Sequence, residues 1–370
     1  MILTILIFIL ILGVLIFAHE LGHFISAKKS GVRVEEFGFG FPPRIFGFKK
    51  GETTYSLNAI PLGGFVKIFG EDPPSPEATE GEAGRSKSPY AFYNKPIWQR
   101  AIILVMGVVM NLVLAVVLLS IVHILGVPTF VEQGQEANYR NIQIQIVEIA
   151  KNSPAEQAGI KVGDSIISLT FGSEKIQIKE IEEVQKFIAF HSGQKISMEI
   201  KRGNETIIKN LTPRVDPPKE EGALGIAMSK TGLVSYPWYQ AILKGFEATG
   251  KLFITMITMF WLLIKTLILQ GKMIGEVAGP IGIAMLTSQV IHLGWVYVLQ
   301  FAAILSINLA IINILPFPAL DGGRLLFLLI EKIKGKPIKF KTERIANTLG
   351  FAILIGLMII VTLRDVIKLF

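Results

Sequence analysis

Four long stretches of this chain are almost continuously hydrophobic, and the text between them changes character from one gap to the next. Ile2 to Ala18 is nearly all Ile, Leu, Val, Phe and Gly, and the pattern continues through His19 to about Ala27 before Lys28 and Lys29 end it. About 20 apolar residues at 1.5 Å each fill a bilayer's hydrocarbon, so residues 1–28 are predicted to form a first transmembrane helix. A removable secretory leader would carry a positive segment ahead of the apolar run and a small-residue cleavage site after it, and neither precedes His19. The second span is predicted from Ile97 to Leu125 (97–127), with Trp98 and Arg100 at its interface and Asn111, Ser120 and His123 interrupting it. Trp295 to Leu315 and Ile345 to Leu363 are the third and fourth, within segments 293–330 and 345–370, with the basic loop Glu331 to Arg344 between them.

The gaps read differently. Residues 29–96 begin with short runs broken by Gly and Pro, and Thr53 to Ile60 alternates as a strand does, which predicts β-hairpins. Glu71 to Ser88 is rich in Pro, Glu, Ser and Gly, has little apolar surface to bury, and reads as a mobile loop. Residues 129–228 have the composition of a soluble α+β domain, with a strand at Asn141 to Ile149 and a helix at Lys179 to Phe190. Within 236–292, Leu252 to Leu269 is apolar but broken by Lys265 and several threonines, and it is read as an amphipathic, interfacial helical segment. No internal repeat is visible.

Composition agrees with a membrane class: of 370 residues, 51% are hydrophobic and 18% charged, and the mean hydropathy is +0.52. The net charge of +8 sits beside apolar spans, where loops facing anionic lipid place it, so no nucleic-acid partner is expected. With no Cys in the chain, any metal site must use His and carboxylates.

Such a site is written in the first span. His19, Glu20 and His23 form H-E-x-x-H, and on a helix the i, i+4 spacing puts both imidazoles on one face, where both can reach one zinc. Glu20 beside them suits a general base. Three ionisable groups in five residues of a membrane span are costly unless they pair or bind metal. A catalytic zinc needs a third protein ligand; of five aspartates, Asp72, Asp164 and Asp216 lie in soluble or loop text and Asp365 near the C-terminus, whereas Asp321 directly follows a span in NILPFPALDGGR. Pro316 and Pro318 must end the helix there, and Gly322 and Gly323 permit a tight return. Helix capping, or pairing with Arg324, is the competing role for Asp321.

HELGH on a first span, with N-x-x-P-x-P-x-L-D-G from Asn313 to Gly322 on a later one, resembles the site-2 protease family of zinc intramembrane metalloproteases, and most closely its regulator-of-sigma-E branch. The resemblance covers nearly the whole chain. It implies Zn2+ held by His19, His23 and Asp321, Glu20 as base, and Asn313 and, less directly, Asn308 as substrate-binding residues. It implies cleavage of single-pass membrane substrates such as anti-sigma factors or remnant signal peptides, in the inner membrane of a bacterium. One element departs from the family pattern: Gly107-Val-Val-Met-Asn111 lacks the proline of G-P-x-x-N and is read as shifted in spacing, so Asn111 is left out of the site.

Ser153-Pro-Ala-Glu-Gln-Ala-Gly-Ile-Lys-Val-Gly-Asp164 is similar to the signature of bacterial PDZ domains: a short helix, a turn at Gly159, then Gly163 and Asp164 leading into a strand. Gly222 to Ile226 looks like its closing strand. Such a domain takes a C-terminal peptide by strand addition, or filters substrates by size. Phe37 to Phe69 is similar to the family's membrane-associated β-hairpin region, whose edge would receive an unwound substrate.

Charge fixes the expected topology. Lys28, Lys29 and Arg33 put the end of the first span in the cytoplasm, and His19, about 27 Å along the helix, lies near that face. The second span returns outward, so the α+β domain is extracytoplasmic. Asp321 must come back to the leaflet of His19, so Leu252 to Leu269 is expected to lie in the interface or to dip in and return. The predicted fold is a multi-pass α-helical membrane protein of four transmembrane helices with an inserted PDZ domain. A peptide-binding scaffold with a structural metal, or a zinc transporter, fits less well: the first needs no Glu20, and the second needs more intramembrane ligands than His123, His292 and Glu276 supply.

Overall fold

The computed structural model describes residues 2–71, 88–131, 139–203, 205–218, 221–271 and 278–367. The loop expected at Glu71 to Ser88 therefore lies, but for its ends, outside the described residues, as does Glu276. The chain forms two compact units: residues 1–120, 242–288 and 299–370 make the first, and 121–241 with 289–298 the second.

The long helices are α1 (Ile2–Lys29), α2 (Ile97–Leu125), α5 (Trp238–Gln270), α6 (Pro280–Leu293), α7 (Trp295–Ile314), α8 (Asp321–Lys334) and α9 (Phe340–Ile367). Among the described residues five helices are long and apolar enough to cross a membrane, the four expected and Trp238–Leu267. The segment read as interfacial is thus part of one unbroken helix, because its threonines, Thr258 and Thr266 among them, turn their hydroxyls back onto carbonyls one turn earlier. The third predicted segment, 293–330, is broken: α7 stops at Ile314, and Pro316 and Pro318 separate it from α8. The predicted loop from Glu331 to Arg344 shrinks to 335–339, because α8 runs on to Lys334, where Gly335 ends it at φ 66°, and α9 already starts at Phe340.

Small residues let these helices approach. A Cβ on Gly22 would sit 2.1 Å from the Met106 carbonyl oxygen, and one on Gly245 would sit 2.2 Å from Ser120 Oγ. Ala115, Leu119, Ala303, Ile307 and Ile311 form a buried seam between α2 and α7, with Ala248, Leu252, Phe253 and Met256 of α5 packed on it. Arg100 grips Glu331 with both terminal nitrogens, at 3.1 and 2.5 Å, and Arg324 pairs with Glu71. Asp365, buried in α9, accepts from the amides of Gly279 and Gly282 at the start of α6, at 2.9 and 2.8 Å.

β1 (Val34–Lys50) and β2 (Thr53–Ile68) are long enough to bend and pair more than once. Phe37 pairs with both Val66 and Tyr55, and Gly47 with Ser56, so the spatial order is 64–68, 34–39, 53–58, 44–50, with 64–68 on one edge. The predicted hairpins are one ribbon of four side-by-side stretches.

In the second unit a sheet runs in the order β3 (Val127–Phe130), β9 (Ile226–Val234), β4 (Arg140–Ile149), β5 (Ser165–Phe171), β7 (Ile196–Arg202), β8 (Glu205–Leu211), with β6 (Glu174–Gln177) on β5. Alternate residues Ile196, Met198 and Ile200 meet Val184, Phe187 and Ile188 of α4 (Ile181–Phe190) in one buried core. The turn residues lie as the sequence predicts: Ser153 caps α3 (Pro154–Gln157) by accepting from Glu156, and Gly159 and Gly163 take φ of 71° and 95°. Asp164, fully buried, accepts from both Nε and Nη2 of Arg202 at 2.7 Å. Two expected bounds move. The sheet extends to 127 and 234, because β3 pairs with the far end of β9. Gly222 to Gly225 is a turn, and the strand it leads into, the last in chain order, lies inside the sheet between β3 and β4.

Candidate metal centre

The chemistry gathers in the first unit, where α1, α2, α7 and the start of α8 meet. His19 and His23 lie one turn apart on the buried face of α1, and their Nε2 atoms are 3.1 Å apart. Asp321 opens α8 and brings its Oδ2 to 3.0 Å from His19 Nε2 and 3.3 Å from His23 Nε2. The turn that delivers it is held by close backbone contacts: Cβ atoms on Gly322 or Gly323 would lie 2.2 Å from the carbonyl oxygens of Leu315 or Phe317. Ala319 sits at φ 74°, with its amide donated to Asn347 Oδ1 of α9 at 3.1 Å. Among the described residues the recorded ion pair of Arg324 is with Glu71, and those of Asp321 are with His19 and His23.

Three separations near 3 Å match the edge of a tetrahedron of ligands about 2 Å from zinc, roughly 3.3 Å. The donor set is right for that ion, and the chain can supply no thiolate. Asp321 Oδ2 is moreover buried with no properly aligned hydrogen bond among the described residues. A buried carboxylate oxygen facing two imidazole nitrogens is placed to share a cation with them. Residues His19, His23 and Asp321 thus fit a zinc ion. His23 is also oriented for it: its Nδ1 donates to the Ile103 carbonyl at 2.8 Å, which leaves Nε2 unprotonated.

Glu20 faces the ribbon. A Cβ on Gly64 would be 3.5 Å from Glu20 Cγ, and the Val66 amide faces the carboxylate. Residues 64–68 are the ribbon's edge, so a strand edge with no further strand on it among the described residues runs past the acid. Asn313 is in the site, its Nδ2 3.4 Å from His19 Nε2. Asn308 is not brought there: five residues earlier on α7, it is exposed on another side.

Two residues escaped the sequence reading. A Cβ on Gly107 would lie 2.4 Å from His23 Nε2, so the bare backbone of α2 forms a wall of the site. Four residues on, Asn111 is fully buried with Nδ2 3.3 Å from His19 Nδ1. Its exclusion on spacing is corrected here: Gly107 and Asn111 are separated as the ends of G-P-x-x-N are, and only the proline differs. An i, i+4 pair shares a helix face whatever lies between.

A polytopic membrane protein with two helix-borne histidines, a carboxylate from a distant helix and an acid beside them belongs to the membrane-embedded zinc hydrolases. The match to the model of peptidase family M50 spans residues 7–357. The chain is 31% identical over 441 residues to the regulator of sigma-W protease RasP of Bacillus subtilis, covering 99% of each. It is 32% identical over 440 residues to the zinc metalloprotease RasP of Shouchella clausii and 33% identical over 446 to that of Oceanobacillus iheyensis, again over 99% of each. The chain belongs to peptidase family M50, the site-2 proteases. It is a zinc-dependent intramembrane metalloendopeptidase of the bacterial inner membrane.

Proposed function

We propose that this protease cuts the transmembrane segments of single-pass membrane proteins close to the cytoplasmic face, with His19, His23 and Asp321 as zinc ligands and Glu20 as general base. The observation that carries the assignment is the convergence of three ligand atoms from helices about 300 residues apart in sequence. Zinc, when bound, acidifies a water and polarises the scissile carbonyl. Glu20 accepts the water's proton on its carboxylate and returns it to the departing amine nitrogen. Asn313, whose Nδ2 lies 3.4 Å from His19 Nε2, offers its carboxamide to the substrate backbone.

A substrate helix hides its amides in its own hydrogen bonds and must be opened first. The edge at 64–68, beside Glu20 and unpaired by a further strand among the described residues, supports strand addition as the means, since an extended segment paired there lies against the acid. Anti-sigma factors and remnant signal peptides are substrates of this kind, and the Bacillus subtilis relative is named for regulation of a sigma factor. The sheet of the second unit is read as a PDZ domain on the extracytoplasmic side, either docking a C-terminal peptide or filtering by size.

The reading includes four crossings, with α5 entering and the chain returning before α6. Gly350 of α9 packs on Pro318 beside the Asp321 turn, and Asp365, which holds Gly279, is 15 residues further on, about 22 Å along the helix. The hold of Asp365 on Gly279, that far along α9 from the Asp321 turn, supports a return of the chain before α6.

Purified protein, assayed for bound zinc and incubated with tagged transmembrane segments, tests the whole reading. Cleavage that depends on zinc and Glu20 supports it, and cleavage by Glu20→Gln at the wild-type rate sinks it.

A further inference from the structure

We propose that Asn111 is a positioning residue for the metal: its side-chain oxygen accepts the Nδ1–H of His19 and so fixes Nε2 of that ring as the metal-binding lone pair. The proposal rests on the zinc reading above. The two histidines have the same need and meet it differently. A neutral imidazole carries one proton, so a ring that ligates through Nε2 must carry its proton on Nδ1, and a buried N–H there needs an acceptor. For His23 that acceptor is the main-chain carbonyl of Ile103. For His19, the polar group recorded at Nδ1 among the described residues is the carboxamide of Asn111.

That carboxamide has an acceptor to spare. Asn111 is fully buried, and among the described residues its Oδ1 makes no hydrogen bond. As placed, the NH2 end faces Nδ1 at 3.3 Å, which would oblige Nε2 to carry the ring proton and aim it at Asp321. Nitrogen and oxygen ends of a carboxamide are nearly the same size, and a half-turn about its last side-chain bond exchanges them within the same space. The turned form sets the idle Oδ1 against Nδ1 and returns Nε2 to the cluster as a lone pair. The residue is well anchored for the task, because Ser306 of α7 donates its hydroxyl to the Asn111 main-chain carbonyl at 2.7 Å. Gly107, one turn earlier on the same face, lets α2 come close enough for the contact.

The test uses the full-length protein in detergent, stripped of metal and titrated with zinc against a chromophoric chelator. Asn111→Leu, close in size but without an acceptor, is expected to bind zinc about 10–100-fold more weakly than wild type. Asn111→Asp, which keeps an acceptor at the same reach, is expected to recover most of that loss. Nitrogen-15 NMR of zinc-loaded, histidine-labelled wild type needs no variant: His19 Nδ1 is expected to carry a directly bonded proton. Wild-type zinc affinity in Asn111→Leu, or a His19 ring without a proton on Nδ1, overturns the proposal while leaving the zinc assignment intact. A wild type that takes up no zinc removes the assignment itself, and the proposal falls with it.

Discussion

Gly107 of α2 stands so near His23 of α1 that a methyl group there would lie 2.4 Å from the ligating nitrogen and 2.7 Å from His19 Cε1. Both contacts are far inside van der Waals distance, and neither the helix backbone nor an imidazole is soft. Gly107→Ala is expected to push α2 away from the rings and to weaken zinc binding at least about tenfold, by loss of ligand orientation. Chelator competition measures it, and unchanged affinity would show that the helices part without cost.

Glu20 is not one of the three clustered ligands, so its substitution removes no ligand atom. Glu20→Gln is expected to keep zinc and to lose roughly 10²–10⁴-fold in cleavage, the span of general acid–base contributions. His19→Ala and Asp321→Ala should lose metal and activity together, as read by metal analysis of the purified variants.

The turn carrying Asp321 depends on a side chain 26 positions further on. Asn347 accepts the amide of Ala319, which holds φ 74° without being glycine. Removing that bond by Asn347→Ala forfeits about 1 kcal/mol of positioning, so zinc should bind roughly fivefold more weakly. Ala319→Gly relaxes the same backbone strain and is expected to leave affinity intact or improved. The same titration reads both.

The ends of the second unit's sheet lie side by side: Val127 pairs with Val234, and the Tyr236 amide donates to the His123 carbonyl. Residues 127–234 can therefore be excised and the gap closed with a short linker. The truncated enzyme is expected to cut short substrates at near the wild-type rate and to accept substrates with large ectodomains. Loss of cleavage of short substrates would instead make the unit a docking site.

A chain without Cys makes topology directly testable. Single cysteines in place of Lys230 and Lys336 are expected to react with an impermeant thiol reagent from opposite sides, Lys230 externally and Lys336 only after the cytoplasmic face is opened. Labelling of both from one side would rule out four crossings.

What the sequence determined by itself was local. His19 and His23 share a face because 3.6 residues make a turn, and no partner is needed to know it. The ends of α7 at Pro316 and of α3 at Ser153 are likewise set by single residues: a missing amide hydrogen in one case, a capping hydroxyl in the other. Asp321 was legible because apolar text on one side and a Pro and Gly turn on the other left it few roles. The rest belongs to packing. The pairing of Asn111 with His19 spans 92 positions, that of Asp365 with Gly279 spans 86, and Phe37 has two strand partners. Nothing in the spacing of residues along a chain specifies which helix comes to lie against which. Gly107 and Asn111 became visible only when α2 was set against α1, where the absence of a side chain at one and an unused oxygen at the other acquire a neighbour.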